Sequence, residues 1–124
     1  MLLENKFYRI MGIDKDDERR NAVFHLAILP DCEVYEGHFP GNPICPGVCN
    51  IETIRECASL FIGHDMRIRM IKQCRLVAIA SPAICPEVDV TINISSLDDN
   101  TFIVAARIED KEKTYIDFKG EMAI

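Results

Sequence analysis

The chain has 124 residues, 48% of them hydrophobic, with a formal net charge of −6. That length suits a single domain spanning 1–124, with enough apolar material to bury roughly two-thirds of the unfolded surface. The acidic balance argues against nucleic acid as a partner, because phosphate contacts need a basic face, and no apolar run approaches the ~20 residues of a membrane span.

The opening residues, MLLENKFYRI, hold no apolar core behind basic residues and no small-residue cleavage site. No signal peptide is therefore expected, and the expected location is cytoplasmic. In that setting Cys32, Cys45, Cys49, Cys57, Cys74 and Cys85 are expected to be buried free thiols. Cys45 and Cys49 are not followed by a second pair of zinc-like spacing, so no metal is expected. The run DKDDERRN (14–21) reads as a turn or loop. AVFHLAIL (22–29) is apolar enough for a buried strand, broken by Pro30 and Asp31.

Next comes GHFPGNPICPGVCNIE (37–52), the densest stretch of the chain. Pro40, Pro43 and Pro46 each fix φ, remove an N–H and restrict the preceding residue. Gly41 and Gly47 permit tight or close-approach conformations. Such a backbone makes sense if His38 must be held still, because an imidazole near its ordinary pKa accepts a proton at neutral pH. The alternative for His38 alone is a structural loop histidine.

Pro46 and Gly47 then open a helix that Gly63 closes. At ~100° per residue, Ile51, Ile54, Cys57, Ala58, Phe61 and Ile62 fill one broad apolar arc, extended by Leu60 and Cys49. Glu52, Arg55, Glu56 and Ser59 form a narrower polar stripe, with Val48 inside it. A helix apolar over so much of its circumference should be largely enclosed, which predicts an α+β architecture with the helix cradled by an antiparallel sheet. Gly47 would present free N–H groups at the positive end of the helix, suited to a developing oxyanion. Glu52 reads either as part of a solvated stripe, paired with Arg55, or as a functional acid.

MRIRMIKQCR (66–75) carries Arg67, Arg69, Lys72 and Arg75 with no acid among them. It is either a strand edge protected by charge or a docking patch for an acidic partner. On a strand, Arg67 and Arg69 would share a face. QCRLVAIA (73–80) is β-like and ends at Ser81-Pro82. EVDVTINIS (87–95) alternates Val88, Val90, Ile92 and Ile94 against polar residues, a half-buried strand. FIVAARIE (102–109) and TYIDFKGEMAI (114–124) follow after short polar turns, giving antiparallel hairpins.

Residues 37–52 resemble the signature of the FabZ-type (3R)-hydroxyacyl-[acyl-carrier-protein] dehydratases, G-H-F-P-G-x-P-x-x-P-G-V followed by an acid. The match covers Gly37, His38, Phe39, Pro40, Gly41, Pro43, Pro46, Gly47 and Val48, with Glu52 at the family spacing. A looser similarity runs across most of the chain. The resemblance implies a hot-dog fold: a long central helix wrapped by a curved antiparallel sheet. It implies a homodimer, often a trimer of dimers, whose active sites take His38 from one subunit and Glu52 from the other. The implied substrate is a 3-hydroxyacyl thioester on the phosphopantetheine of acyl carrier protein, with no metal or redox cofactor. His38 would act as base at C2, Gly47 N–H would hold the thioester oxyanion, and Glu52, its pKa raised by enclosure, would help the C3 hydroxyl leave. Phe39, Pro40, Gly41, Ile44, Val48 and Ile51 are the implied substrate-binding residues, core packing being the alternative for the apolar ones. Acyl carrier proteins are acidic, which favours docking at Arg67, Arg69, Lys72 and Arg75.

The chain departs from the family pattern at Cys49 and Asn50, where aliphatic residues are usual. It departs again at Thr53, Ile54, Arg55 and Glu56, where Ala-x-Ala-Gln is usual. These differences leave chain length and pathway open, housekeeping or specialised. Two other readings are a hot-dog acyl thioesterase and a non-catalytic acyl-binding subunit.

Overall fold

The computed structural model describes residues 2–37 and 44–124. Six strands form one antiparallel sheet: β1 (Tyr8–Asp16), β2 (Asn21–Ile28), β3 (Arg67–Leu76), β4 (Glu87–Ser96), β5 (Thr101–Glu109) and β6 (Thr114–Ala123), in the order β1-β2-β4-β5-β6-β3. A short α1 (Val34–Gly37) and the long α2 (Gly47–Ile62) lie between β2 and β3.

Period-two alternation sets the register. Ala22, Phe24, Leu26 and Ile28 of β2 are buried, as are Val88, Val90, Ile92 and Ile94 of β4. Pairing Phe24 with Val90 and Val90 with Ile108 keeps these apolar rows on one face, because a one-residue slip would send each row to solvent. Onto that face packs α2, through Ile54, Cys57 and Ala58, which are fully buried. Crossing from β2 to the far edge of the sheet, α2 meets β3, β4 and β5. Pro46 is its N-cap and Gly63, at φ 87°, closes it in the left-handed conformation that glycine adopts freely.

The expected strands at 22–29, 87–95, 102–109 and 114–124 are all present within a residue or two. Two segments differ from expectation. Residues 14–16, expected in a turn, extend β1; only 17–20 turn. An edge strand needs just its backbone to pair, and the outer half of β1 is exposed, so its charged residues gave no apolar period. The run expected as a strand at 73–80 begins earlier, at Arg67, and leaves the sheet after Leu76. The basic stretch is therefore itself the edge strand β3, and Arg67, Arg69, Lys72 and Arg75 are all exposed on it. Its pairing with β6 shifts register between Ile68 and Met70 and again between Ile71 and Gln73, leaving Arg69 and Lys72 as the extra residues of two bulges. Arg67 and Arg69 therefore do not share a face by simple alternation. Gly120 sits opposite this irregular seam: a Cβ there would lie 2.6 Å from the Met70 carbonyl oxygen, so only glycine fits without movement.

The polar stripe of α2 is only partly solvated. Glu56 and Ser59, expected on an outer face, are buried, while Leu60, expected to extend the apolar arc, is exposed. The N-terminal segment covers Glu56, and the chain leaving α2 covers Ser59, whose hydroxyl accepts the Met66 N–H at 3.0 Å. Helical periodicity does not encode contacts from such distant or irregular segments. All six cysteines are free thiols; Cys45, Cys49, Cys57 and Cys85 are buried, and Cys32 and Cys74 half-buried. No helix among the described residues is long and apolar enough to cross a membrane.

Candidate active site

His38, Phe39, Pro40 and Gly41, four of the residues implicated by the sequence, lie outside the described residues. The other candidates are placed by α2 and the segment leading into it. Gly47 is the first residue of α2. No side chain caps this end, and the first helical bonds to the Pro46 carbonyl come from Cys49 and Asn50 at 3.0 and 3.1 Å. The N–H groups of Gly47 and Val48 therefore have no partner among the described residues, as the geometry of a helix start dictates. A Cβ on Gly47 would meet Leu76 at 3.7 Å, an ordinary contact. Neither packing nor backbone conformation thus demands glycine here.

Gly47 opens onto a cavity of about 220 Å³, bordered by Ile44, Cys45, Asn50 and the segment from Leu76 to Ala80. Ile44 is thus placed as a wall residue. Ile51 instead packs against the core, and Val48, 75% exposed, points to the surface. Cys45, whose thiol is pushed up to about 11 chiefly by burial, lines the cavity in its neutral form. The sequence reading missed Asn50, Cys45 and the 76–80 segment as cavity residues. The one available signal was Asn50 itself, a polar residue in an otherwise apolar stretch.

Glu52 does not border that cavity. Five residues beyond Gly47, it projects from another side of the helix. Arg55 grips its carboxylate at both oxygens, Nε to Oε1 and Nη2 to Oε2, each at 2.7 Å. Arg55 Nη1 reaches on to Asp65 Oδ1 at 2.8 Å and to the Met66 carbonyl at 2.6 Å. This bidentate pairing with Arg55 holds Glu52 below the usual carboxylate range, more than partial burial raises it. The expectation of a raised Glu52 is therefore corrected for the single chain: enclosure is present, but a cation came with it.

The carboxyl that burial does raise is Glu56, one turn along and 0% exposed. Its Oε2 accepts the Leu3 N–H at 3.1 Å, and its Oε1 accepts the Glu4 N–H at 3.1 Å and the Tyr8 hydroxyl at 2.8 Å. These three donors pull against the dominant cost of burial and tie the N-terminal segment to α2.

A wider groove of about 560 Å³ lies at the other side of the sheet, bordered in part by His25, Asp89 and Asp110. His25 Nδ1 meets Asp89 at 2.7 Å and Nε2 meets Asp14 at 2.8 Å. The hydrogen bond to Asp14, then that to Asp89, raises its pKa. In the protonated ring both nitrogens donate to these carboxylates and no lone pair is left for a proton or a metal.

Comparison with known proteins decides the family. The ApeI dehydratase model, of the ApeI-like family, matches residues 14–119. The chain belongs to the ApeI-like dehydratase family. Among curated relatives of this family member, the 3-hydroxyacyl-[acyl-carrier-protein] dehydratase FabZ of Lactobacillus helveticus is 28% identical over 120 residues, covering 89% of this chain and 80% of the relative. FabZ of Levilactobacillus brevis is 37% identical over 91 residues, covering 65% and 61%. FabZ of Pediococcus pentosaceus reaches 53% identity over 64 residues, covering 49% of this chain and 42% of the relative. Among solved structures, the dehydratase heterocomplex ApeI:P from Xenorhabdus doucetiae matches with a TM-score of 0.68 at 15% identity, covering 94% of this chain and 97% of that one. A thioesterase mutant from Staphylococcus aureus matches with a TM-score of 0.66 at 18% identity, covering 98% and 96%. At such identities these two carry the fold alone, and with the long helix α2 on a six-stranded antiparallel sheet among the described residues they make it the expected α+β hot-dog fold.

Proposed function

We propose that this dehydratase-family chain converts 3-hydroxyacyl thioesters, carried on the phosphopantetheine of acyl carrier protein, into trans-2-enoyl thioesters. The observation that supports this reading best is the uncapped start of α2, where Gly47 borders an apolar-walled cavity although the fold itself tolerates a side chain there. A thioester carbonyl seated against the Gly47 N–H would have its developing negative charge stabilised by that donor and the helix dipole.

His38 removes the proton from C2. The electron pair of that C–H bond delocalises onto the thioester oxygen and then returns to form the C2–C3 double bond as the C3–O bond breaks, the hydroxyl leaving as water once protonated. Glu52 supplies that proton. In the described chain Arg55 opposes protonation of Glu52, so substrate binding must draw the guanidinium toward Asp65 and the Met66 carbonyl, which it already touches. Chemistry at the carbonyl provides the electron sink, and the reaction as written calls for no further cofactor.

Gly47 and Glu52 face different sides of one helix, which suits an active site completed by a second subunit. The unpaired edge of β3 and the exposed Val48, Leu76 and Val77 nearby offer a surface for that partner, read as a second copy of this chain. Higher assembly as a trimer of dimers, carrier-protein docking at Arg67, Arg69, Lys72 and Arg75, and a cytoplasmic location belong to the same proposal. Those four side chains, exposed on an acidic protein, supply the local positive field that an acidic carrier requires.

The test is dehydration of 3-hydroxyacyl thioesters across chain lengths, followed by enoyl absorbance. His38→Ala and Glu52→Gln are each expected to lower turnover by ~10²–10⁴-fold. Hydrolysis of saturated acyl thioesters in place of dehydration would favour the thioesterase reading. Turnover of neither substrate class would favour a non-catalytic subunit.

A further inference from the structure

Arg55 reaches three groups at once. Its Nε and Nη2 hold both oxygens of Glu52 at 2.7 Å, and its Nη1 meets Asp65 Oδ1 at 2.8 Å and the Met66 carbonyl at 2.6 Å. Four of the five guanidinium N–H donors are thereby placed. The pair is largely withdrawn from water, with Arg55 at 16% and Glu52 at 28% side-chain exposure, whereas Asp65 is 82% exposed. A planar cation that keeps its charge at any working pH, seated on both oxygens of a partly buried carboxylate, favours the ionised acid. Two further groups face Glu52 among the described residues. Glu56, its carboxyl raised by burial, hydrogen-bonds Glu52 one turn away and, when protonated, also favours the carboxylate. Cys49, one turn back, has a thiol raised chiefly by burial and so adds no charge at neutral pH. Of the charged neighbours described, Asp65 opposes the carboxylate.

From this arrangement we propose that Arg55 is a positioning residue that acts as a brake: it clamps Glu52 as a carboxylate and so withholds the proton with which the C3 hydroxyl must leave. The inference rests on the reading of Glu52 as the acid of a dehydratase, and goes beyond it by placing rate control in a side chain that touches no reacting atom. The productive form of the site has His38 neutral and Glu52 protonated. Histidine ordinarily titrates near pH 6.5, and Glu52 is held below the usual carboxylate range. A base that titrates above its acid leaves the productive form as a minor share at neutral pH. That share grows in step with the proton affinity of Glu52. Loss of the Arg55 charge should therefore speed dehydration, the opposite of what loss of a purely structural clamp would do.

The test compares the wild type with Arg55→Gln, which keeps a donor and removes the charge, and with Asp65→Asn, which removes the anion that competes for the guanidinium. Two readouts are taken: kcat/KM for 3-hydroxyacyl pantetheine thioesters against pH, and titration of the Glu52 carboxyl by carbon NMR, its signal assigned by its loss in Glu52→Gln. Arg55→Gln is expected to raise kcat/KM at neutral pH about tenfold, the factor carried by one unit of pKa. It should also move the acid limb of the profile and the Glu52 midpoint to higher pH. Asp65→Asn, exposed and so screened by solvent, should shift both the other way and slow turnover about twofold. An unmoved Glu52 midpoint in Arg55→Gln, or slower turnover in both variants, would overturn the proposal, since Arg55 would then serve only to tie α2 to the chain beyond it. If Arg55→Gln does not fold, Asp65→Asn decides: a Glu52 midpoint that falls supports the clamp, and one that stays or rises overturns it. A midpoint that rises in Arg55→Gln while no variant dehydrates supports the clamp and strikes only the proposed reaction. Dehydration that needs Glu52 yet runs no faster without the Arg55 charge strikes only the brake.

Discussion

Six residues apart on α2, two polar side chains are buried to nearly the same depth in different settings. Glu56 meets the Leu3 and Glu4 amides and the Tyr8 hydroxyl, so its oxygens are spoken for. Asn50 borders a cavity. The same helix is thus sealed at its middle and open at its start. The difference teaches how to read polar burial on one helix: at Glu56 it holds two segments together, and at Asn50 it places a polar side chain beside an open space.

The sharpest way to break this comparison is at the open end. Gly47→Ala places a methyl group in ordinary contact with Leu76, so stability should stay within about 0.5 kcal/mol. The same methyl group crowds the approach to the helix N–H, and turnover should fall ~10²-fold. Kinetics beside urea denaturation would check this, and unaltered turnover would mean that the N–H faces no substrate.

At the sealed end the effect should be on stability. Glu56→Gln replaces one accepting oxygen with an N–H₂ group that confronts an amide donor, costing about 2 kcal/mol. Hydrogen exchange at Leu3 and Glu4 should quicken in step. If neither stability nor exchange moved, the N-terminal segment would not depend on this carboxyl.

A smaller effect comes from the other side of the sheet. His25 has a pKa raised by Asp14 and then Asp89, so its contribution is fully present below the unfolded value near 6.5. It is lost as pH rises through the folded value. Thermal stability should therefore decline from about pH 6.5 upward, and His25→Gln should flatten that decline. A wild-type curve level across this range would show that water screens the cluster fully.

The sheet was largely legible because alternation at Val88, Val90, Ile92 and Ile94 records directly which side is dry. The ends of α2 were legible because Pro46 and Gly63 act through local backbone geometry. Edge strands were harder, since β1 and β3 are held by backbone bonds that leave little apolar pattern. Glu56 could not have been placed from its helix alone: its partners lie about fifty residues away in sequence. Glu52 was recognisable from spacing, but its pairing with Arg55 reversed the expected direction of its pKa, because a wheel shows that two residues are neighbours without showing which state each stabilises.

The paired bulges of β3 carry a consequence in parity. Ten residues, Arg67 to Leu76, span eight of β6, Ala123 to Ile116. Each extra residue reverses which way the following side chains point, and two reversals cancel, so Ile68 and Cys74 return to the same side. Between them Met70 and Ile71 are both exposed. Losing Arg69 or Lys72 would leave the remaining pairs matched as before, Ile68 with Met122, Met70 with Glu121, Ile71 with Gly120 and Gln73 with Lys119, so each side chain would keep the side of its partner. The edge can therefore shorten by one residue at either bulge without moving its inward-facing row.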